Sequence, residues 1–192
     1  MKKIRSLNSA SNLASLRKFL PAFALLACAA LALAGTAAAT QPLIDTRREL
    51  EQLNTMRALL PGSKDFVPAA VSGEDELVLA AYRSERGYIV ETSADGYAKP
   101  IRLWVGVDHS GRVTGVTIRS MAETAGLGQA ALRDAAFLSQ FLHTSGNAVA
   151  GENIEAISGA TVTTKAIAKA VNAASAYVTG AELVSGATEW GG

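Results

Sequence analysis

The 192-residue chain has a single cysteine, Cys28, and two histidines, His109 and His143. One thiol excludes an intramolecular disulfide framework, a cysteine-held iron–sulfur cluster and c-type haem attachment, all of which need more than one cysteine. Two imidazoles far apart in sequence argue against a His-rich metal site. Charge is also scarce, at 18% of residues with a formal net of +1. That total conceals an asymmetry. Five of the 18 basic residues (Lys2, Lys3, Arg5, Arg17 and Lys18) lie in the first 18 positions, which hold no acid; the remaining 13 face 17 acidic residues, a net of −4. A mildly acidic domain lacks the basic patch that neutralises nucleic-acid phosphates, so no nucleic-acid partner is expected. No repeat of 20 to 50 residues is present, which excludes a solenoid.

What the chain does have is one long apolar run. Phe19 to Ala39 is broken only by Pro21, Gly35 and Thr36, and ten of its 21 residues are Ala. At about 1.5 Å per residue it is just long enough to cross about 30 Å of hydrocarbon. The basic residues before it place the N-terminus in the cytoplasm and the rest outside. Two readings share that topology: an uncleaved anchor, or a signal segment cleaved after Ala37-Ala38-Ala39, before Thr40. A lipoprotein box at Leu25-Leu26-Ala27-Cys28 fits less well, because the apolar run continues past Cys28.

The spacing predicts a single α+β domain outside the membrane. Residues 1–18 form a basic cytoplasmic segment, 19–39 the membrane or signal segment, 40–75 a linking helix and loop, 76–180 the domain, and 181–192 a Gly-rich tail. Asp45 is placed to cap a linking helix from Thr46 that Pro61-Gly62 stops, with Leu50, Leu53, Met56 and Leu60 on one face. Short β-rich runs at 77–82 and 88–92 flank Ser84-Glu85-Arg86-Gly87. Ile101, Leu103, Val105 and Val107 alternate with Arg102, Trp104 and Gly106, and the chain returns over 113–119 after the turn Asp108-His109-Ser110-Gly111. The pattern then becomes helical from Gln129 to His143, with Leu132, Ala136, Phe137 and Phe141 as its apolar stripe. A last helix covers 162–178, burying Ile167, Ala170, Val171, Ala174 and Val178, with Gly180 just past its end.

Chemistry concentrates at Glu155-Ala156-Ile157-Ser158-Gly159-Ala160-Thr161. Gly159 permits a tight turn directly before the last helix. Thr161 then stands among free amide donors at the positive end of the helix dipole, with Lys165 one turn on, a place suited to a phosphate. Spacing alone leaves a second reading open, in which Ser158 or Thr161 merely caps the helix.

The segment resembles the flavinylation motif of the FMN-binding domain family, which includes the G subunit of the Rnf electron-transport complex and the C subunit of the sodium-translocating NADH:quinone reductase. The resemblance implies FMN joined by a phosphoester to the last Thr of the Ser-Gly-Ala-Thr motif, here Thr161, with Ser158, Gly159, Ala160 and Lys165 around it. Upstream, Glu123-Thr124-Ala125-Gly126-Leu127-Gly128 resembles the family's Glu-Thr-Pro-Gly-Leu-Gly loop, implying that Glu123, Thr124, Gly126 and Leu127 lie beside the flavin. A third match is Gly96-Tyr97-Ala98-Lys99-Pro100-Ile101. The likeness spans about 83 residues, Gly96 to Val178, and the single apolar span and short chain suit the Rnf protein best. It implies an electron-relay subunit within a membrane-bound, ion-translocating oxidoreductase. Its partners would be other membrane subunits and a flavin transferase, and its C-terminal domain would lie outside the inner membrane. The alternative is a free-standing extracytoplasmic flavoprotein or electron-feeding domain; a domain that keeps the fold without flavin is a third.

Two positions depart from the family pattern. Glu155 stands where Asp is usual, six residues before Thr161, and Ala125 replaces the loop Pro. Ser185-Gly186-Ala187-Thr188 repeats the tetrapeptide, but no helix follows it and Glu189 would repel a phosphate, so Thr161 is the expected acceptor. No constellation for a dedicated substrate is visible. His109 and His143 read as solvated surface residues, and Trp104 as a packing residue rather than a flavin stack.

Overall fold

Alternating apolar and polar side chains between residues 78 and 120 become four long strands in the computed structural model, which describes residues 9–71, 76–96, 99–121 and 134–181. The strands are β2 (Val78–Ser84), β3 (Gly87–Asp95), β4 (Pro100–Asp108) and β5 (Val113–Ser120). A three-residue strand, β1 (Val67–Ala69), precedes them, and all five pair antiparallel in chain order. The two expected hairpins are present, β2–β3 around Glu85-Arg86 and β4–β5 around residues 109–112. The Asp108 carboxylate organises the second turn, accepting from the Ser110 amide at 2.8 Å, the Ser110 hydroxyl at 2.6 Å and the Arg112 amide at 3.0 Å. β1 has no counterpart in the sequence pattern; its Pro68, which cannot donate to a ladder, sits on the sheet's edge strand, where a proline is tolerated.

One face of the sheet carries the main core. Val90, Ala94, Ile101, Leu103, Val105, Val107 and Val113 pack there with Phe137, Phe141 and Ile154, and with Ile167, Ala170, Val171 and Ala174 of the last helix, α3 (Thr161–Thr179). Full burial of each such Val, Leu or Ile contributes about 1.5–3 kcal/mol relative to exposure. α3 closes at Gly180 in a left-handed conformation, φ +67°, its amide bonded back to Ala176. The other face holds a smaller cluster of Ile89 and Trp104 against Met56, Leu59 and Leu60.

Residues Ser9–Leu59 form one α-helix, α1. By contact the chain divides into two units, Met1–Glu51 and Gln52–Gly192. Asp45 therefore does not cap a new helix: it lies mid-helix, its carboxylate 3.9 Å from Arg48. Pro42 denies Ala38 an amide partner yet does not end α1. Around it Thr40 and Thr46 donate their hydroxyls to the carbonyls four residues back. Leu50 is exposed, whereas Met56 and Leu60 are buried. The helix expected over 129–143 is also shorter where described. It is α2 (Ala135–Ser139), whose start is fixed by Asp134 accepting from the Ala136 amide. Beyond it the hydrogen bonds tighten to three-residue steps, and His143 takes φ +67°. Phe137 and Phe141 are buried edge to face, 5.6 Å apart, while Ala136 is exposed. Leu132 and the tail beyond residue 181 lie outside the described residues.

Candidate functional site

The Ser158–Thr161 motif sits between two fixed points. Upstream, side-chain amides replace regular backbone pairing. Buried Asn172 of α3 accepts from the Ala148 amide and donates to its carbonyl, both at 2.9 Å. Asn153 accepts from the Val149 amide and donates to the Asn147 carbonyl, each at 2.8 Å. The Gln140 carbonyl oxygen takes the Glu155 amide at 2.7 Å. From there the chain enters a turn closed by the Ala160 amide on the Ile157 carbonyl at 2.9 Å, with Gly159 at φ +80° in its third position. That position of a type II turn requires positive φ, which explains the glycine. A methyl on Gly159 would meet nothing within 4 Å, so backbone conformation rather than crowding selects it, and the turn borders open space.

Downstream, Thr161 is the first residue of the 19-residue α3. No side chain caps this end, and no acidic residue stands in its first turn. The capping reading of Ser158 and Thr161 is therefore not realised, and the first-turn amides have neither an intrahelical acceptor nor a side-chain one. Three threonines fall in this turn. Thr163 and Thr164 are buried, and Thr164 donates its hydroxyl to the Ala160 carbonyl at 3.0 Å. Thr161 is exposed, as are Ser158, Gly159 and Lys165. Lys165 stands four residues on, one turn along the same helical face. Exposed hydroxyl, open amides, a nearby cation and free space beside the turn all fit a phosphate monoester carrying a large planar group.

Residues 96–176 match the FMN-binding domain family. The G subunit of the proton-translocating ferredoxin:NAD(+) oxidoreductase complex of Clostridium ljungdahlii is 32% identical over 152 residues, covering 73% of this chain and 78% of the relative. The G subunit of the ion-translocating oxidoreductase complex of Methanosarcina acetivorans is 31% identical over 170 residues, 81% of this chain and 90% of the relative. The equivalent protein of Salmonella typhimurium is 35% identical over 102 residues, 46% and 48% of the two chains. The chain belongs to the G-subunit family of ion-translocating oxidoreductase complexes.

Several features of this family member lie away from the Ile157–Ala160 turn. Trp104 is buried against Leu59, Leu60 and Ile89 on the sheet face opposite α3, with the Arg119 guanidinium 4.1 Å from its ring centre, so it packs as expected. His109 and His143 are both exposed, and His109 Nε2 lies 3.0 Å from the Glu85 carbonyl. Gly96 and Lys99 close the turn between β3 and β4, the Gly96 amide donating to the Lys99 carbonyl at 3.3 Å. Glu123, Thr124, Gly126 and Leu127 of the second motif, and Thr188 of the repeated tetrapeptide, lie outside the described residues. Sequence reasoning missed Gln140, Asn153 and Asn172. Only Asn172 left a signal, as an amide side chain on the apolar face of a helix.

The membrane signal also has a structural counterpart. Among the described residues one helical stretch, Pro21–Leu59, is long and apolar enough to cross a bilayer. Its Phe23, Leu25, Leu26, Leu31 and Leu33 are each about 70% exposed.

Proposed function

We propose that this chain relays electrons within a membrane-bound, ion-translocating oxidoreductase complex, on FMN held covalently by a phosphoester to Thr161. The observation that carries the site is the contrast among the three threonines of one helical turn: Thr161 alone is exposed, at an uncapped N-terminus free of acidic side chains. Membership in the G-subunit family and the FMN-binding domain support the relay role. When bound, FMN supplies the redox chemistry, and the protein supplies its place and its electrostatic surroundings. The α3 dipole and Lys165 offset the phosphate charge; Ser158, Gly159 and Ala160 shape the turn. In this reading Glu123, Thr124, Gly126 and Leu127 line the flavin, and residues 76–180 act as one FMN-binding domain outside the membrane. Residues 19–39 anchor it, with the C-terminal domain on the extracytoplasmic side, beside other subunits of the complex.

Maturation requires a flavin transferase. FMN alone has no activated phosphate, whereas a flavin dinucleotide has one in its pyrophosphate. Thr161 Oγ forms the new P–O bond, the pyrophosphate P–O bond breaks, AMP leaves and the hydroxyl proton passes to solvent; no electron is transferred. Co-expressed with a flavin transferase, the wild-type chain should fluoresce in a denaturing gel. Thr161→Val should be dark, and Thr188→Val should fluoresce as the wild type does. Retention of fluorescence by Thr161→Val with its loss in Thr188→Val would assign the flavin to the second tetrapeptide, and a dark wild type would end the relay reading.

A further inference from the structure

The acceptor turn is flanked by a hydrogen bond that no regular secondary structure supplies. Gln140 lies just beyond α2, and its side-chain oxygen accepts the Glu155 amide at 2.7 Å across 15 residues of sequence. It is the tie that precedes the turn. On the far side, the Thr164 amide on the Ala160 carbonyl at 2.9 Å begins the helix. Between these ties, Ala156 to Gly159 are held by one backbone bond, the closure of the turn itself. Ile157 and Ala160, the outer corners of the turn, are half-buried against the core, whereas Glu155, Ser158, Gly159 and Thr161 are exposed. Without the Gln140 bond the next hydrogen-bonded amide upstream is that of Ile154, which is buried and bonded to Val149, and Glu155 and Ala156 would have no hydrogen bond between it and the turn. The free run would then lengthen on the approach to the turn that borders Thr161 Oγ.

We propose that Gln140 is a positioning residue for flavin attachment: its side-chain oxygen pins the Glu155 amide and so holds the turn that borders Thr161 in the orientation that leaves Thr161 Oγ open to the incoming flavin phosphorus. The inference rests on Thr161 as acceptor. Gln140 does not touch the reacting atoms. It reduces the ordering the transferase must impose on the turn as attack occurs, which favours the rate of transfer over simple encounter. A net hydrogen bond of ordinary strength corresponds to roughly a fivefold change in rate.

The test uses full-length chain in detergent, purified flavin transferase and flavin dinucleotide, following in-gel fluorescence with time well below the melting temperature. Gln140→Met keeps length and shape and removes the acceptor; Gln140→Glu keeps an acceptor oxygen at the same reach. Gln140→Met should label roughly fivefold more slowly, mainly through kcat, and amide hydrogen exchange at Glu155 should accelerate by a similar factor. Gln140→Glu should restore both toward wild-type values. Labelling of Gln140→Met at the wild-type rate overturns the proposal. So does equal slowing of both variants, which would mark a packing role. Thr161→Val separates the failures: if it remains dark while Gln140→Met labels normally, the acceptor assignment stands and only the role of Gln140 falls.

Discussion

Gly106 of β4 and Gly115 of β5 stand opposite each other in the sheet, and the backbone of Leu59, at the end of α1, lies over both. A methyl on Gly106 would collide with the Leu59 carbonyl oxygen, and one on Gly115 would reach the Leu59 Cα at 2.8 Å. Beside them the Thr114 hydroxyl donates to the same Leu59 carbonyl at 2.6 Å. Two cross-strand positions without side chains thus open a seat in the sheet that main chain fills.

Because backbone rather than a flexible side chain occupies that seat, Gly115→Ala should lower stability by about 1–3 kcal/mol, the usual cost of overpacking. Thermal unfolding of the detergent-solubilised chain would show it. Thr114→Val, which removes the hydroxyl but adds no bulk beneath Leu59, should cost less, about 1 kcal/mol. Equal melting temperatures for Gly115→Ala and the wild type would refute the crowding argument.

Asn172 should be among the most sensitive polar positions. It satisfies both backbone groups of Ala148, and all four atoms are buried. Asn172→Leu would strand an amide and a carbonyl at about 1–3 kcal/mol each. A loss of several kcal/mol in chemical denaturation is expected, together with faster proteolysis in residues 145–155.

The pH dependence of stability should include an acid limb from Asp108. Partial burial raises its pKa, but the Ser110 hydroxyl, the Arg112 and Ser110 amides and the Arg112 charge outweigh this and hold it below the ordinary aspartate value. A lowered folded-state pKa means that the contribution is present above the unfolded value, about 3.9, and is lost as pH falls through the folded one. Asp108→Ala should therefore be less stable than the wild type at neutral pH, and the difference should shrink below about pH 4. A difference that does not change with pH would show that the turn holds without the charge.

Topology is open to a direct measurement. With Lys2, Lys3, Arg5, Arg17 and Lys18 retained in the cytoplasm, a reporter fused after Gly192 should be active only outside it. Cytoplasmic activity would reverse the assignment. Recovery of mature protein beginning near Thr40 would show cleavage in place of anchoring.

The legible parts of the fold are those with a local period. Alternation along 101–107 identifies β4 because one face meets the core and the other does not, and the spacing of Ile167, Ala170, Val171 and Ala174 identifies the buried side of α3 for the same reason. Local rules mislead where context overrides them. Asp45 reads as a cap, yet α1 runs through it. Among the described residues, the helical pattern read through to His143 runs past the end of α2, which tight turns close after Ser139. The position of Thr161 at a helix start is readable from Gly159 and the apolar period after it. The side-chain amides that steady the approach to it are not, because Gln140 and Asn172 meet their partners 15 and 24 residues away.

α3 has one further consequence for the cofactor proposed at Thr161. Twelve of its 19 residues are buried, so its first residue belongs to an element that can move only with the core. A group esterified there is leashed to a fixed post. Its sweep is set by its own rotatable bonds, and its local concentration beside the domain stays on the order of millimolar whatever the supply in the surrounding compartment. A redox centre held in this way cannot be diluted away between turnovers, and the distance it must bridge to a neighbour is limited by the length of its own chain.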